Sequence, residues 1–377
     1  MTAAEARASG CDASEGSDNT DGSAGSHISD RRLLFYGVTG YTGRLTLDRA
    51  LARGLSPVLS GRSAGRLAPL AESLALEARA VRLDDSAGLD RTLADIDLVV
   101  HLAGPFSETA APMAEACLRT GAHYLDIAGE YKVLDGLHRY ESQARSRGVM
   151  ILPGAAFAVA VSDALAVRVA GRLPGATRLR LGYSRFRFGS RGSYRTAIEM
   201  LDGSVPVRRD GRLEHIPAGR LEHRFDFGAG PTVCSAIAWG DVATAHRSTG
   251  IPNVETYLDT YPWERAGLLW TRALAGFHRP VRALAGLWAP LFPEGPSRSQ
   301  RDSERKIVVA EAEAGGGRIA RSRMVTPQVY DVTADATVLL ASKVLESEFE
   351  PGVRTPAQVW GESLLSELAG VSVTDLD

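Results

Sequence analysis

The stretch of sequence that decides the fold is Gly37-Val38-Thr39-Gly40-Tyr41-Thr42-Gly43. It lies between a short apolar run at 33–36 and a helical pattern at 42–53, so the three glycines occupy a strand-to-helix turn. Glycine in such a turn adopts backbone conformations closed to other residues and lets the backbone approach a pyrophosphate. The helix N-terminus adds free N–H groups. The stretch therefore predicts a dinucleotide-binding turn, against the alternative of a glycine-rich turn without a ligand.

Short apolar runs alternate with helical patterns throughout residues 31–153. The six runs lie at 33–36, 57–60, 80–83, 97–102, 123–126 and 149–152. Strands that alternate with helices form a parallel sheet covered by helices on both faces. The sequence therefore predicts an α/β fold whose first domain, residues 30–153, is a Rossmann-type doubly wound parallel sheet.

Residues 154–330 follow a different pattern, in which alternating apolar and polar residues predict the strands of a mixed or antiparallel second sheet. The predicted strands lie at 178–188, 224–227, 233–239, 306–313 and 318–325. Within this α+β domain, residues 263–291 carry apolar side chains at spacings of three and four, which predicts two helices separated at Pro280. This apolar stripe is expected to pack on its own domain, to form a homodimer contact or to border a substrate pocket. Two more helices are predicted within residues 331–377.

Composition narrows the class of protein. The 43 Lys and Arg residues nearly balance the 45 Asp and Glu residues, so nucleic-acid binding is not expected. The three cysteines form no close pair, which argues against a metal site and favours a reducing, cytoplasmic location. Residues 1–29 contain almost no large apolar side chain and are predicted to be a disordered tail. No apolar run is long enough for a membrane-spanning helix, so integral membrane association is not expected.

The end of the second predicted strand indicates which dinucleotide is bound. An acidic residue there would accept a hydrogen bond from the ribose 2′-hydroxyl of NAD, but the chain has Ser60-Gly61-Arg62 instead. The Arg62 guanidinium can pair with a 2′-phosphate, and the Ser60 hydroxyl can donate a further hydrogen bond. We therefore expect NADP, against the alternative that Arg62 is a solvated surface arginine.

Two further positions complete the predicted cofactor site. Asp84 ends the third predicted strand, where a carboxylate meets the adenine amine, or else Asp84 or Asp85 caps the following helix. The small residues after the fourth strand permit close approach of the ribose and nicotinamide. The predicted cofactor-binding residues are Gly37, Thr39, Gly40, Tyr41, Thr42, Gly43, Ser60, Arg62, Asp84, Ala103, Gly104 and Pro105.

Several of these segments resemble a known family. The matching segments are residues 36–43, 60–62, 103–106, 121–126, 129–130, 248–253 and 355–357. They are similar to the saccharopine dehydrogenase-like oxidoreductases, particularly the small bacterial branch that includes the mycobacterial trans-acting enoyl reductases. The resemblance implies an NADP-binding Rossmann domain, an inserted α/β domain and a C-terminal segment that returns to the first domain.

The resemblance also implies a reaction. A hydride would pass from NADPH to a C=C bond conjugated with a carbonyl or thioester, on a small-molecule or carrier-bound substrate. The alternatives are reduction of an imine, as in the namesake reaction, and a catalytically silent NADP-binding partner subunit. The chain departs from the family after the sixth strand, where Ala158 replaces the usual acid of Gly-Phe-Asp and Val161 replaces the proline of Pro-Ser-Asp. A substrate other than the common one is therefore expected.

Four residues near the predicted nicotinamide end are candidate proton donors. They are Asp126, Glu130, Tyr131 and Tyr194. Each has the alternative role of a structural hydrogen-bonding or capping residue. His101 and His123 lie within predicted strands and are expected to be interior histidines with satisfied hydrogen bonds.

Overall fold

The computed structural model describes residues 31–199, 203–261, 265 and 292–376. The predicted tail at 1–29 and almost all of the predicted helical segment at 263–291 lie outside the described residues. Among the described residues, no helix is both long and apolar enough to cross a membrane.

The first sheet confirms the predicted α/β fold. Its first six strands are β1 (Leu33–Tyr36), β2 (Val58–Gly61), β3 (Ala78–Ala80), β4 (Leu98–His101), β5 (His123–Asp126) and β6 (Met150–Leu152). The helices between and beside them are α1 (Tyr41–Ala52), α2 (Ala64–Leu74), α3 (Ser86–Leu93), α4 (Phe106–Thr120), α5 (Tyr131–Leu137) and α6 (Glu141–Ser146). All strand pairs are parallel, and β1 and β4 are entirely buried because helices cover both faces.

Strand order locates the ligand crevice of this sheet. With a late strand, β15 (Gly352–Val353), at one edge, the order is β15-β6-β5-β4-β1-β2-β3. Strands β2 and β3 therefore lie on one side of β1, and strands β4 to β6 lie on the other side, so the strand order reverses at β1. Ligands of such sheets bind at the carboxyl ends of the strands at this switch point.

The second sheet has nine strands and mixed pairing. Its strands are β7 (Ala176–Tyr183), β8 (Ser204–Arg209), β9 (Arg212–Pro217), β10 (Glu222–Asp226), β11 (Pro231–Ala236), β12 (Asn253–Asp259), β13 (Lys306–Ala314), β14 (Arg318–Thr326) and β16 (Ser372–Leu376). Among the described strands of this sheet, only β7 and β12 pair in parallel. The helices beside it are α7 (Ser162–Arg172), α8 (Arg191–Glu199), α9 (Asp241–Thr249) and α10 (Arg298–Asp302).

The C-terminal segment reaches both sheets. It contains α11 (Val329–Leu345), α12 (Pro356–Trp360) and α13 (Leu364–Glu367), and α11 packs against α1. One hydrophobic core therefore continues from the first sheet through α7 and α11 to the second. The sequence indicated only helices here, whereas β15 and β16 are strands. Asp375 in β16 accepts hydrogen bonds from Ser322 and Arg168, so distant partners fix this short polar strand at the sheet edge.

Two predicted strands end earlier than the sequence indicated. The third strand stops at Ala80 rather than 83, and β11 stops at Ala236 rather than 239. Beyond β11, Ile237 donates its backbone N–H to the Thr256 carbonyl at 3.0 Å, and the chain then turns into α9. Trp239 consequently lies in a loop and not in a strand.

Candidate functional site

The glycine turn after β1 is shaped by close backbone contacts. Gly37 has a φ of +91°, a conformation that strains any residue with a side chain. A Cβ atom on Gly37 would lie 2.7 Å from the Cβ of Ala103, so the loops after β1 and β4 touch at the switch point. A Cβ on Gly43 would lie 2.5 Å from the Gly37 carbonyl oxygen. The absence of a side chain at Gly43 therefore lets the first turn of α1 pack directly against the loop.

Gly40 differs from its two neighbouring glycines. It is exposed, and the nearest atom to a Cβ built on it is the Gly37 carbonyl oxygen at 3.4 Å. Gly40 immediately precedes α1, and no described side chain caps this helix or places an acid in its first turn. Thr39 and Thr42 flank Gly40 and are half-buried. The free N–H groups and open surface fit a pyrophosphate.

The Tyr41 side chain ties this turn to the C-terminal half of the chain. Its hydroxyl donates to the Pro296 carbonyl at 2.6 Å and accepts from the Arg301 guanidinium at 3.0 Å. Its ring meets the Tyr330 ring edge to face, with centroids 5.2 Å apart. Tyr41 therefore adds to the predicted cofactor site through its backbone, because its side chain is occupied elsewhere.

The two predicted phosphate-binding residues at the end of β2, Ser60 and Arg62, differ in exposure and in hydrogen bonding. Arg62 is exposed and makes no hydrogen bond or ion pair to any described residue. Ser60 is fully buried, and its hydroxyl donates to the Arg79 carbonyl at 2.8 Å. The Ser60 proton is thus already bonded to the neighbouring strand, and a contact from Ser60 to a 2′-phosphate stays a prediction. Arg66, in α2, lies 3.5 Å from the Thr39 carbonyl oxygen and adds a second guanidinium near the turn.

Asp84 is not at a strand end. It lies four residues beyond β3, is exposed and forms an ion pair with Arg82 at 2.6 Å. The cap of α3 is Asp85, whose carboxylate accepts from the Gly88 N–H at 2.8 Å. Of the two capping alternatives left by the sequence, the structure shows Asp85.

The loop after β4 carries Ala103, Gly104 and Pro105. Ala103 and Pro105 are half-buried and Gly104 is exposed, so the loop presents a small, open surface beside the glycine turn. The Thr109 hydroxyl donates to the Ala103 carbonyl at 2.7 Å and fixes the loop to α4. The predicted nicotinamide-side residues therefore adjoin the predicted pyrophosphate-side residues.

Asp126, the last residue of β5, is an anchor within the protein. It is fully buried, and its carboxylate accepts from the Tyr124 hydroxyl at 2.6 Å and from the N–H groups of Ala128 and Gly154 at 2.8 and 2.9 Å. Burial raises its pKa, and these donors oppose the rise. The side chain is fully enclosed and joins the loops after β5 and β6, which favours the structural alternative for Asp126 over the role of a proton donor.

Glu130 is buried at the junction of the two halves. One carboxylate oxygen accepts from the Gly129 N–H at 2.9 Å, and the other accepts from the Thr196 hydroxyl of α8 at 3.1 Å. Burial raises the pKa of Glu130 above its ordinary value. A carboxyl group in this position holds a proton more readily than a solvated one.

The two candidate tyrosines have separate partners. The Tyr131 hydroxyl lies 2.8 Å from Nε2 of His215, an exposed residue of β9. The Tyr194 ring stacks on Phe292 with centroids 3.8 Å apart. The hydroxyl of the preceding residue, Ser193, lies 2.7 Å from the Tyr330 hydroxyl. Among the predicted proton donors, Glu130 is bonded both to the loop that follows β5 and to the second half of the chain.

The two strand histidines differ in their hydrogen bonding. Nδ1 of His123 accepts from the Met150 N–H at 3.0 Å, as expected of an interior histidine. His101 is fully buried among Tyr36, Phe106 and Tyr124, and neither ring nitrogen has a partner in the described part of the chain. The expectation of a satisfied His101 is wrong, because aromatic rings surround it. Burial lowers its pKa to about 3, so it remains neutral.

The loop at 154–161 contains the two departures from the family pattern. Ala158 and Val161 are both buried, and Val159 has a φ of +92°. The Ser162 hydroxyl accepts from the Val159 N–H at 2.9 Å and donates to the Asp241 carboxylate at 2.5 Å. A buried polar network therefore holds this loop at the carboxyl edge of the first sheet.

Sequence reasoning missed Trp239, which lies beside Ala158's loop and beside Gly129. Its ring stacks on Tyr183 with centroids 4.7 Å apart and meets Phe186 at 5.2 Å, and Phe157 packs against both of those rings. The sequence signal for a loop here is Trp239 followed by Gly240, at the end of the alternating run at 233–239. Because the alternation predicts a strand through residue 239, it conceals this loop.

The strand order, the glycine turn at its switch point and the open N-terminus of α1 together define a Rossmann-type dinucleotide-binding domain followed by a mixed-sheet domain. Residues 33–152 match the saccharopine dehydrogenase NADP-binding domain. The match covers the first domain and agrees with the resemblance inferred from the sequence.

Two relatives and one solved structure extend this result. A Mycobacterium tuberculosis protein provisionally named a trans-acting enoyl reductase is 32% identical over 139 residues, which is 35% of this chain and 33% of that protein. A human saccharopine dehydrogenase-like oxidoreductase is 25% identical over 145 residues, 33% of this chain and 34% of that protein. The matches therefore span about a third of these relatives.

The fold likeness covers far more of the chain. Saccharopine dehydrogenase (L-Glu forming) from Saccharomyces cerevisiae superposes with a TM-score of 0.62, covering 92% of this chain and 100% of that one at 14% identity. At this identity the match shows a shared two-domain fold and not a shared substrate.

Proposed function

We propose that this protein is an NADPH-dependent reductase that adds a hydride to a C=C bond conjugated with a carbonyl or thioester, on an apolar small-molecule or carrier-bound substrate. The observation that carries the choice of substrate is the apolar, aromatic packing around Ala158, in which Phe186 and Trp239 are partly exposed and where the resemblance leads us to expect an acid. Relatives named as enoyl reductases align with 139 residues of this chain and also support reduction of a C=C bond.

The chain's own residues fit the dinucleotide. The turn of Gly37, Gly40 and Gly43 with the N-terminus of α1 would hold the pyrophosphate, and Ala103 to Pro105 would flank the nicotinamide ribose. Arg62 would pair with the 2′-phosphate, because it is exposed at the end of β2 without a described partner. When bound, NADPH supplies the hydride.

The substrate side of the crevice favours an apolar group. Phe157 and Ala158 are buried on the loop after β6, and Phe186 and Trp239 face them from the second half. A charged amino-acid substrate would need an ionic partner here, since an unpaired charge in an apolar environment is costly. An acyl chain needs only the apolar surface.

Glu130 is the residue that we assign as the proton donor. Its raised pKa keeps the carboxyl protonated to higher pH than a solvated glutamate, and it is bonded to Gly129 beside Trp239. Addition of a hydride at the β carbon leaves negative charge on the conjugated carbonyl oxygen. Proton delivery to the α carbon then completes the reduction.

The cofactor assignment is tested with Arg62→Ala. NADPH binding should weaken by about 1.5–3 kcal/mol, the range for a hydrogen bond to a charged group, while NADH binding stays nearly unchanged. Arg224→Ala, which removes an exposed arginine from β10, is the matched control and should alter neither affinity. Equal losses for both cofactors would show that Arg62 does not contact the 2′-phosphate.

The reaction is tested by incubating the protein with NADPH and a trans-2-enoyl thioester, with product analysis by mass spectrometry. The saturated thioester is the expected product. A secondary amine formed instead from an oxo acid and an amino acid would indicate imine reduction. Tight NADPH binding with no product from either mixture would indicate a silent partner subunit.

A further inference from the structure

We propose that the indole N–H of Trp239 donates a hydrogen bond to the carbonyl oxygen of the substrate. The inference rests on the proposed reduction of a conjugated carbonyl compound and assigns to it a contact that fixes the position of the substrate. Three features of the structure carry it: where the Trp239 loop lies, how the ring is held, and what its nitrogen faces.

The loop that carries Trp239 packs against the carboxyl edge of the first sheet. A Cβ atom on the next residue, Gly240, would lie 2.5 Å from the Leu134 side chain, 2.9 Å from that of Val159 and 3.0 Å from the Gly129 carbonyl oxygen. The backbone at 240 therefore packs directly between the loops after β5 and β6. Ligands of this sheet type bind at this edge.

The ring of Trp239 is held on a rigid support. It stacks on Tyr183 with an interplanar angle of 17°, and the Tyr183 hydroxyl donates to the Asp241 carboxylate at 2.7 Å. Phe186 packs against the ring at a tilt of 42°, and the Lys306 ammonium lies 4.3 Å from the Phe186 centroid. Because both supports are anchored by buried polar groups, the direction of the indole N–H is fixed before a ligand arrives.

The nitrogen lies beside Gly129, a residue of the loop after β5 that has no side chain. A Cβ atom on Gly129 would lie 3.6 Å from Nε1, and no described residue accepts a hydrogen bond from this nitrogen. The N–H of the same Gly129 is bonded to the Glu130 carboxylate. A hydrogen-bond donor and the assigned proton donor therefore flank a single glycine.

The chemistry of the indole suits a carbonyl oxygen. Its N–H is only a donor, so it selects an acceptor and does not exchange protons with the substrate. As the hydride adds at the β carbon, negative charge grows on the carbonyl oxygen and strengthens the hydrogen bond. The contact therefore stabilises the transition state more than the bound substrate.

The test observes this N–H directly. The chain has five tryptophans, and with ¹⁵N-tryptophan labelling the Trp239 indole signal is the one that Trp239→Phe removes. Titration of the NADP⁺-loaded protein with trans-hex-2-enamide should move that proton signal downfield. The Trp360 indole, which belongs to α12, should not move. Gly129→Ala should weaken the shift by narrowing the space before Nε1.

Kinetics with trans-2-hexenoyl thioester separate this inference from the proposed reaction. Trp239→Phe keeps the ring and should lower kcat/KM by about 10–100-fold with NADPH affinity unchanged. A downfield shift without turnover would support the hydrogen bond and defeat the proposed reaction. Normal turnover with an unmoved Trp239 signal, or an unimpaired Trp239→Phe enzyme, would overturn the hydrogen bond alone. No shift and no turnover would overturn both.

Discussion

Two loops at the same edge of the first sheet are shaped in opposite ways. The loop after β1 takes its form from glycines, which bring its backbone against Ala103 and against α1. The loop at 154–161 has one glycine, at 154, and its other residues are alanine, valine and phenylalanine. In this second loop Val159 adopts a φ of +92° although it is β-branched, a conformation that costs about 1–3 kcal/mol.

Distant residues hold the second loop in that conformation. The Ala155 N–H donates to the Asp126 carbonyl at 2.7 Å, and the Phe157 N–H donates to the Thr333 hydroxyl at 3.1 Å. Gly154 and Gly240 leave room for the Val159 side chain. The loop that we propose holds the cofactor through its backbone is therefore shaped by its own residues. The loop that we propose borders the substrate is fixed in place by distant parts of the fold.

The largest expected effect tests the glycine-shaped loop. Gly43→Ala should destabilise the protein by about 3 kcal/mol, because the new methyl would overlap backbone atoms of Gly37 and Val38 that cannot retreat. Gly40→Ala is the matched control, since its methyl has 3.4 Å of space. It should change the urea midpoint little and weaken dinucleotide binding. Equal stability losses in both variants would contradict the packing assigned to Gly43.

The next effect concerns the polar support of the second loop. Asp163 follows Ser162, is fully buried and accepts from the Ser248 hydroxyl at 2.5 Å, while its Oδ1 has no partner among the described side chains. Burial raises its pKa to about 7 from an ordinary value of 3.8, so the folded state binds the proton more tightly. Its contribution to stability is complete below the unfolded value and is lost as pH rises through 7.

Asp163→Asn removes this dependence while preserving an acceptor for Ser248. The wild-type protein should lose on the order of 2 kcal/mol between pH 5 and 8 through this group, and the variant should lose correspondingly less. Urea denaturation at several pH values measures both slopes. Parallel slopes in the two proteins would show that Asp163 does not titrate in this range.

The sequence was sufficient for the features that depend on local pattern. The strand-to-helix context of Gly37 to Gly43 predicted the Rossmann sheet, and the apolar runs located five of its strands to within a residue at each end. Exposure of Arg62 at the end of β2 also agrees with the local pattern. These features are determined by neighbours in the chain, so spacing and residue type carry the information.

Long-range partners explain what the sequence could not provide. The sequence predicts Ser60 as a cofactor contact, but its proton goes to Arg79 on the adjacent strand. It predicts Asp126 as a candidate proton donor, but the carboxylate accepts hydrogen bonds from Tyr124 and Ala128, each two residues away, and from Gly154 in the loop after β6. Trp239 became part of the candidate site only through the packing of its loop against Gly129. The contacts of Ser60 with Arg79, of Asp126 with Gly154 and of Trp239 with Gly129 have no signature in sequence spacing.

Tyr183→Phe tests the support shared by the second loop and Trp239. Removing the hydroxyl leaves the buried Asp241 carboxylate with one donor fewer and should cost about 1.5 kcal/mol. The aromatic ring remains, so the apolar packing is retained. Calorimetry at neutral pH measures the loss. Asp241→Asn in the same background should then cost less than in the wild type, and fully additive costs would show that the two groups are not coupled.

The smallest expected effect lies outside both loops, at the outer edge of the cofactor sheet. Asp85→Ala should cost about 1 kcal/mol, because it removes the carboxylate that caps α3 through the Gly88 N–H. Asp84→Ala is the control at the neighbouring position. Its carboxylate forms only an exposed ion pair with Arg82, so the urea midpoint should hardly change. Equal losses would refute the assignment of the cap to Asp85. A weaker NADPH affinity in Asp84→Ala at unchanged stability would instead assign Asp84 to the adenine, as a determinant of dinucleotide binding outside the glycine turn.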